Sequence, residues 1–307
     1  MNNRRQFSRR QFLAASAAAV TVPTVLGNVA WARELKPLPQ EEIDKIANAA
    51  PEAATKKPAK ARKLLVFWRC NGFFHGSIPR GNAALEILGK KTGAYETVVS
   101  DDMAMFTPDV LGEFDAVMFN NTTRLNPDEK QRAALMDFIK GGKGICGIHA
   151  ATDNFYDWPE GAEMMGGLFA GHPWGGGGTW AVKIDEPEHP LNKGFAGRGF
   201  LIKDEIYKMR DPYSRERLRI LVSLDMSKSR NKKGREDDDN AISWIRECGD
   251  GRVFYCSLGH NNEIFWTPSI LQHYLDGVQY AMGDLKADAT PSAKLDKRPE
   301  PALCPEE

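Results

Sequence analysis

The chain has 307 residues, 42% hydrophobic and 27% charged, with 41 basic and 41 acidic side chains and a formal net charge of +0. That length holds one large α/β domain or two small ones. Balanced charge, with no basic stripe interleaved with aromatics, leaves no field to gather nucleic acid or an anionic membrane, so neither is expected as a partner.

The chain opens with Arg9 and Arg10, then Phe12 and Leu13 and a short run rich in small apolar residues. This is the twin-arginine export pattern, and Ala30-Trp31-Ala32 supplies an A-x-A cleavage site. The run is brief and interrupted by Pro23, a poor membrane span. Residues 1–32 are therefore expected to be a signal peptide read by the twin-arginine export machinery. The mature protein would be periplasmic, with no stable membrane span after cleavage. That route carries proteins already folded, often around a loaded cofactor, which hints at a metal. Residues 33–60, rich in Pro, Ala, Lys and Glu, read as a solvated linker with room for one short helix.

A folded domain is expected over residues 61–284. KLLVFWRC (63–70) is a near-continuous apolar run, as in a strand buried on both faces. Pro79 to Lys91 has a helical pattern, with proline early and Gly93 just past the end. ETVVSDD and DAVMFNN give two short strands. Asn126-Pro127-Asp128-Glu129 caps a helix running to about Lys140, and KGICGIHA is the fourth strand. Strand and helix alternating at this spacing predict a three-layer, doubly wound, mostly parallel sheet.

The second half is strand-rich: TWAVKID, GFLIKDEIYKM, RLRILVSLD, NAISWIREC and RVFYCSLGH, the last two joined as a hairpin. Residues 227–239 read as a solvated polyampholyte loop. A last helix begins with Thr267 as cap and Pro268 as first residue, and residues 285–307 read as a flexible tail. The cysteines are Cys70, Cys146, Cys248, Cys256 and Cys304, an odd count with no C-x-x-C spacing. Tight pairing about Gly249-Asp250-Gly251 sets Cys256 nearer Trp244 than Cys248, which argues against a bridge between the two cysteines.

Open parallel sheets bind ligands beyond the carboxyl ends of their strands. GICGIHA offers two reactive residues, but Cys146 lies about 10 Å back from the strand exit and His149 stands at it. A thiol nucleophile also needs a glycine two residues on, and Ile148 fills that place. The first strand exits toward His75, the third into Asn120, and the late strand into His260 and Asn261. Three histidines converging on one sheet edge read as a site. His172 sits in a glycine-rich loop able to close over a ligand. Asp204 and Glu205 point to opposite faces of a strand, so one carboxylate faces inward and needs a partner. His189 and His273 read as turn and structural residues.

GIHAATD, GGLFAGHP, EHPLNKGF followed by DEIY, ISWIRECGDGRVFYCSLGH and the closing helix occur in series over residues 62–283. Together they resemble the ThuA-like (trehalose utilisation) family. The resemblance implies a fold like that of class I glutamine amidotransferases without their cysteine nucleophile, and a link to catabolism of trehalose and related glycosides. It also implies a zinc-like divalent ion among His75, His149 and His260; no nucleotide cofactor is expected. The expected function is then metal-assisted acid–base chemistry on a glycoside or an oxidised (3-keto) glycoside. His149, His260 and Glu205 are the catalytic candidates, with Asp153 as orienting partner. Asn120, His172, Trp244 and Asn261 are the substrate-binding candidates. Two other readings stay open: a non-catalytic sugar-binding or scaffold protein using the same cleft, and thiol chemistry at Cys146.

Overall fold

The computed structural model describes residues 35–306; the expected signal peptide, residues 1–32, lies outside them. Among the described residues no helix is long and apolar enough to cross a membrane. In chain order the regular elements are α1 (Gln40–Ala49), β1 (Lys63–Phe67), α2 (Ile78–Thr92), β2 (Glu96–Ser100), α3 (Pro108–Gly112), β3 (Ala116–Asn120), α4 (Glu129–Lys140), β4 (Gly144–Ile148), α5 (Pro159–Met165), β5 (Leu168–Phe169), β6 (Thr179–Ile184), β7 (Phe200–Lys203), β8 (Met209–Arg210), β9 (Arg219–Leu224), β10 (Ala241–Cys248), β11 (Gly251–Cys256) and α6 (Pro268–Ala281).

Nine strands form one sheet in the order β2-β1-β3-β4-β11-β10-β9-β6-β7. β2, β1, β3, β4 and β11 run parallel, and the sheet then continues antiparallel through β10, β9, β6 and β7. The alternation of side chains sorts the core into two layers. Leu64, Val66, Met118, Cys146 and Phe254 pack with α1, α2 and α6 on one face. Leu65, Phe67, Val117, Ile145 and Val253 pack with α3, α4 and α5 on the other. Burying each such aliphatic or aromatic side chain contributes about 1.5–3 kcal/mol, which is why the central strands carry no polar alternation. The mostly parallel doubly wound sheet with a C-terminal hairpin is thus the observed fold.

Local signals explain the helix boundaries. Asp128 accepts the Gln131 backbone N–H at 2.9 Å while the Gln131 side chain accepts that of Asp128 at 3.0 Å, a reciprocal cap at the start of α4. α2 starts with Pro79 in its first turn and stops at Gly93, whose φ of 66° suits glycine. Thr267 precedes α6 as expected, but its hydroxyl donates to the Glu263 carbonyl instead of capping the helix.

Three expectations are corrected. Residues 35–60 are not a solvated linker: Ile46 in α1 and Ala50 just after it are buried, and the Lys91 ammonium donates to the Ala47 and Ala50 carbonyls at 2.8 Å each. The C-terminal tail is packed as well, since Ala302 bridges to Ile184 and Cys304 is buried. The loop 227–239 is solvated along most of its length, as expected, with one anchor where the Ser229 carbonyl accepts the buried Trp174 indole N–H at 2.7 Å. In the linker and the tail a few apolar or hydrogen-bonding residues inside a polar stretch outweigh its average composition. Finally, GFLIKDEIYKM is two strands. Between β7 and β8 the backbone leaves the sheet, and Ile206 and Lys208 donate to the carbonyls of Trp174 and Gly171 at 2.8 Å each.

Candidate metal centre

β1, β4, β11 and β7 all end at the same edge of the sheet, and each hands one side chain to a common point. His75 follows β1, His149 follows β4, Glu205 follows β7 and His260 follows β11. One ligand atom from each of these four residues lies within 4.8 Å of all the others. His75 and His149 have ring centroids 4.8 Å apart, and each lies 5.4 Å from His260. Glu205 is the common neighbour. Its carboxylate oxygens lie 3.6 Å from His149 Nε2, 3.4 Å from His260 Nδ1 and 3.3 Å from His172 Nδ1.

Backbone strain and fixed hydrogen bonds hold these side chains in place. His149 has φ of 46°, a left-handed conformation that turns it sharply out of β4. The strained elbow at this strand end therefore belongs to the histidine. Its Nδ1 donates to the Ser257 carbonyl at 2.7 Å, which fixes the tautomer and leaves the Nε2 lone pair facing the cluster. Asp204, fully buried, accepts the backbone N–H groups of Gly259 and Asn261 at 2.7 Å each and so clamps the loop that carries His260. Gly259 has φ of 134°, and a Cβ there would sit 2.7 Å from Ile148, so the loop closes this tightly because position 259 has no side chain.

Three imidazole nitrogens in the cluster are buried without a hydrogen-bond partner: His75 Nδ1, His149 Nε2 and His260 Nδ1. Leaving one such group unsatisfied costs about 1–3 kcal/mol, so three around one carboxylate call for a common acceptor of lone pairs. Two ligand atoms sharing a tetrahedral ion at zinc distances lie about 3.4 Å apart, and the 3.4 and 3.6 Å contacts to Glu205 match that spacing. The donor set, three imidazoles and a carboxylate, suits a divalent ion of the zinc type. The charge states agree. Burial, with the neighbouring His149 and His260, lowers His75 to about 2, so it is neutral. Burial pushes Glu205 up, but contacts with His149 and His260 outweigh it and carry the carboxyl well below its usual range. Contact with Glu205 raises His260 above an ordinary imidazole. The cluster can hold a metal ion.

His172 belongs to the rim: its side chain is 55% exposed and its Nδ1 faces Glu205. The other candidates are placed differently. Asp153 does not orient His149; it accepts the Tyr156 hydroxyl and lies 3.4 Å from Arg124, and the orienting acceptor is the Ser257 carbonyl. Asn120 is buried and donates to the Ile78 carbonyl and to Asn82, which joins α2 to the sheet. Trp244 is fully buried, stacked on Tyr255 at 4.1 Å with its N–H on the Met165 carbonyl, and cannot reach a sugar. Asn261 donates to the Gly176 and Lys203 carbonyls and pins the glycine-rich loop beside His260. His273 is buried between Ser243 and the Leu191 carbonyl, as a structural residue should be. Cys146 is fully buried, and burial pushes its thiol up, far from a reactive thiolate.

Sequence reasoning missed an aromatic rim. The Phe73 ring, 65% exposed, lies 4.8 Å from His75, and Phe169 lies 4.3 Å from Tyr207, whose ring lies 4.2 Å from His149. Phe73 and Phe74 in the exit loop of the first strand were the available signal. The positions of Phe169 and Tyr207 depend on the β5–β8 ladder, which is only two residues long.

The fold is a doubly wound α/β sheet with a histidine at the strand-end elbow and the nearby thiol buried. Comparison with known proteins agrees. The model of the ThuA family, described as trehalose utilisation, matches residues 63–281, and the chain belongs to that family. A ThuA-like protein from Bacteroides uniformis ATCC 8492 superposes with a TM-score of 0.59 at 20% identity, over 74% of this chain and 94% of that one. A ThuA-like protein from Parabacteroides merdae ATCC 43184 gives 0.55 at 18% identity, over 74% and 92%. At such identities the likeness establishes the fold. No curated protein matches the sequence.

Proposed function

We propose that this protein is an exported enzyme of carbohydrate catabolism that cleaves a glycoside or an oxidised (3-keto) glycoside by metal-assisted acid–base chemistry. The observation that carries the proposal is the set of three buried, unpartnered imidazole nitrogens grouped around Glu205. The family's link to trehalose utilisation supplies the substrate class. His75, His149, Glu205 and His260 would hold a divalent ion, which would supply Lewis-acid polarisation of a substrate oxygen.

The chain's own residues account for the rest. His172 is the imidazole left at the rim, exposed enough to meet substrate and kept near the centre by Glu205. An imidazole carries both a proton donor and a lone pair, so at this position it suits proton transfer. On a 3-keto glycoside it takes the proton from the carbon between the keto group and the glycosidic carbon. The released electron pair forms a carbon–carbon double bond as the glycosidic C–O bond breaks, and the imidazolium returns its proton to the departing oxygen. Phe73 and Phe169 offer flat apolar faces for a sugar ring at the mouth. The glycine-rich loop that carries His172 is pinned at Trp174 and Asn261, which leaves the histidine on a short span between fixed points.

Metal analysis of the purified protein, followed by turnover of plain and 3-keto disaccharides with and without chelator, tests the reading. Bound metal and turnover lost on chelation, or in His149→Ala and His260→Ala, are expected. Metal-free protein whose turnover survives both substitutions refutes it, and sugar binding without product leaves a non-catalytic sugar-binding protein. Export is checked by fractionating cells that make the full chain. Mature protein starting after Ala32 in the periplasm supports it, and full-length protein in the cytoplasm refutes it.

A further inference from the structure

Two arginines with little to neutralise them flank Tyr156, in the segment that follows His149. The Arg124 guanidinium sits 4.6 Å from the centroid of the Tyr156 ring, and that of Arg210 sits 5.5 Å from the same centroid. The Tyr156 hydroxyl is held by Asp153, four residues after His149, so the ring is fixed relative to the centre. Arg62, Arg80, Arg215 and Arg219 each meet a carboxylate at 3.0 Å or closer, whereas Arg69, Arg132 and Arg246 donate to carbonyl or amide oxygens. Arg124, 57% exposed, has only a looser contact with Asp153 at 3.4 Å. Arg210 is exposed, and among the described residues no carboxylate pairs with it; the contact that places it is the Tyr156 ring.

The backbone is built to present Arg124. Its φ of 54° is a left-handed conformation that a long side chain rarely adopts. That conformation is secured at both ends: the Arg124 N–H donates to the Asp153 carbonyl at 2.7 Å, and the Asn71 amide donates to the Arg124 carbonyl at 3.1 Å. Gly72 makes room, because a Cβ there would lie 2.6 Å from Arg124 Cγ. Two guanidinium forks at one ring, set against a single partly buried carboxylate, leave excess positive charge around Tyr156. Such forks match carboxylate and phosphate oxygens.

We propose, resting on the reading of this cleft as a sugar site, that Arg124 and Arg210 form an anion subsite beside the histidines and select a sugar that carries a carboxylate or a phosphate. Neutral glycosides then fill the aromatic rim without engaging the subsite, and acidic ones are preferred.

Calorimetric titration of the full chain with glucuronate, glucose 6-phosphate and glucose tests this, and the tighter of the two acidic probes identifies the anion. At least one acidic sugar should bind about tenfold or more tightly than glucose, the scale of one charge-assisted hydrogen bond, and the advantage should shrink as salt rises. The Arg124→Gln/Arg210→Gln double variant should lose the advantage while keeping its metal content. Gly72→Ala, which displaces the Arg124 stem without touching its charge, should weaken it. Equal binding of all three probes, no binding of any, or a preference that survives both the double variant and Gly72→Ala overturns the proposal. Protein that lacks metal but keeps the acidic preference sinks the catalytic reading and leaves the subsite standing. Metal-dependent turnover with no acidic preference does the reverse.

Discussion

Replacing Glu205 by glutamine keeps the side chain's shape and removes the carboxylate charge that lies 3.6, 3.4 and 3.3 Å from His149, His260 and His172. Four-ligand zinc sites bind with roughly 10–16 kcal/mol, so one ligand in four carries about 3 kcal/mol, or about a hundredfold in Kd. The effect is read as thermal stabilisation, because an ion that binds the folded chain alone raises its melting temperature. Free zinc at roughly a hundred times the wild-type Kd stabilises by about 2.7 kcal/mol, which is about 5 °C for a domain of this size. At the same zinc concentration the variant sits near its own weakened Kd, where the gain is about 0.4 kcal/mol and under about 1 °C. The assay is differential scanning fluorimetry over a buffered zinc series, with circular dichroism of the metal-free proteins to confirm equal folding. A zinc-induced shift of the same size in both proteins refutes the assignment of Glu205 as a ligand. Absence of any shift in the wild type refutes the centre itself.

The remaining predictions concern positions around the site and in the core. Asp204→Asn loosens the clamp on the Gly259–Asn261 backbone and should cost about 10–100-fold in metal affinity, as loss of an outer-shell partner does, without altering any ligand; unchanged affinity by equilibrium dialysis would remove Asp204 from that role. Burial, opposed by hydrogen bonds from Thr55 and Gln272, raises Asp276 to about 6, above the 3.8 of an ordinary aspartate. The folded state therefore holds this proton more tightly than the unfolded chain. Its stabilising effect is full below about pH 4 and is lost as pH rises to about 6, a change of about 3 kcal/mol. Urea melts of Asp276→Asn should lack that fall, and an unchanged difference from wild type across the window contradicts it. Native Cys146 should resist iodoacetamide, and Cys146→Ala should cost about 1–2 kcal/mol of stability with turnover kept; labelling with loss of turnover would restore the thiol reading. Gly277→Ala places a methyl 2.4 Å from the Phe254 ring and should destabilise by about 1–3 kcal/mol in the same melts.

The parallel half of the sheet was legible because its strands are short apolar runs closed by glycine or by a polar exit. Such runs form the same strand wherever they are buried on both faces. For the same reason His75, His149 and His260 could be placed at strand ends from their positions alone. The linker and the tail were misread, because Ile46 and Ala50 in the one and Leu285, Ser292 and Cys304 in the other are a few buried residues within polar stretches, and composition averages them away. Trp244 and Asn120 were misplaced for a related reason. Each is a chemically suitable residue near a strand end, but whether it faces cleft or core depends on its register against β11 or its contact with α2.

By itself the sequence determined the strands of the nine-stranded sheet, the helices α2, α4 and α6, the burial of Cys146 and the exit of three histidines at strand ends, since these follow from local periodicity and chain direction. Only the tertiary structure decided that Glu205 meets His149, His260 and His172, that the Ser257 carbonyl and not Asp153 orients His149, and that Arg124 and Arg210 share one ring. Those contacts join segments far apart in the chain, and their distances are set by sheet order, backbone strain and packing, none of which leaves a periodic trace in the sequence.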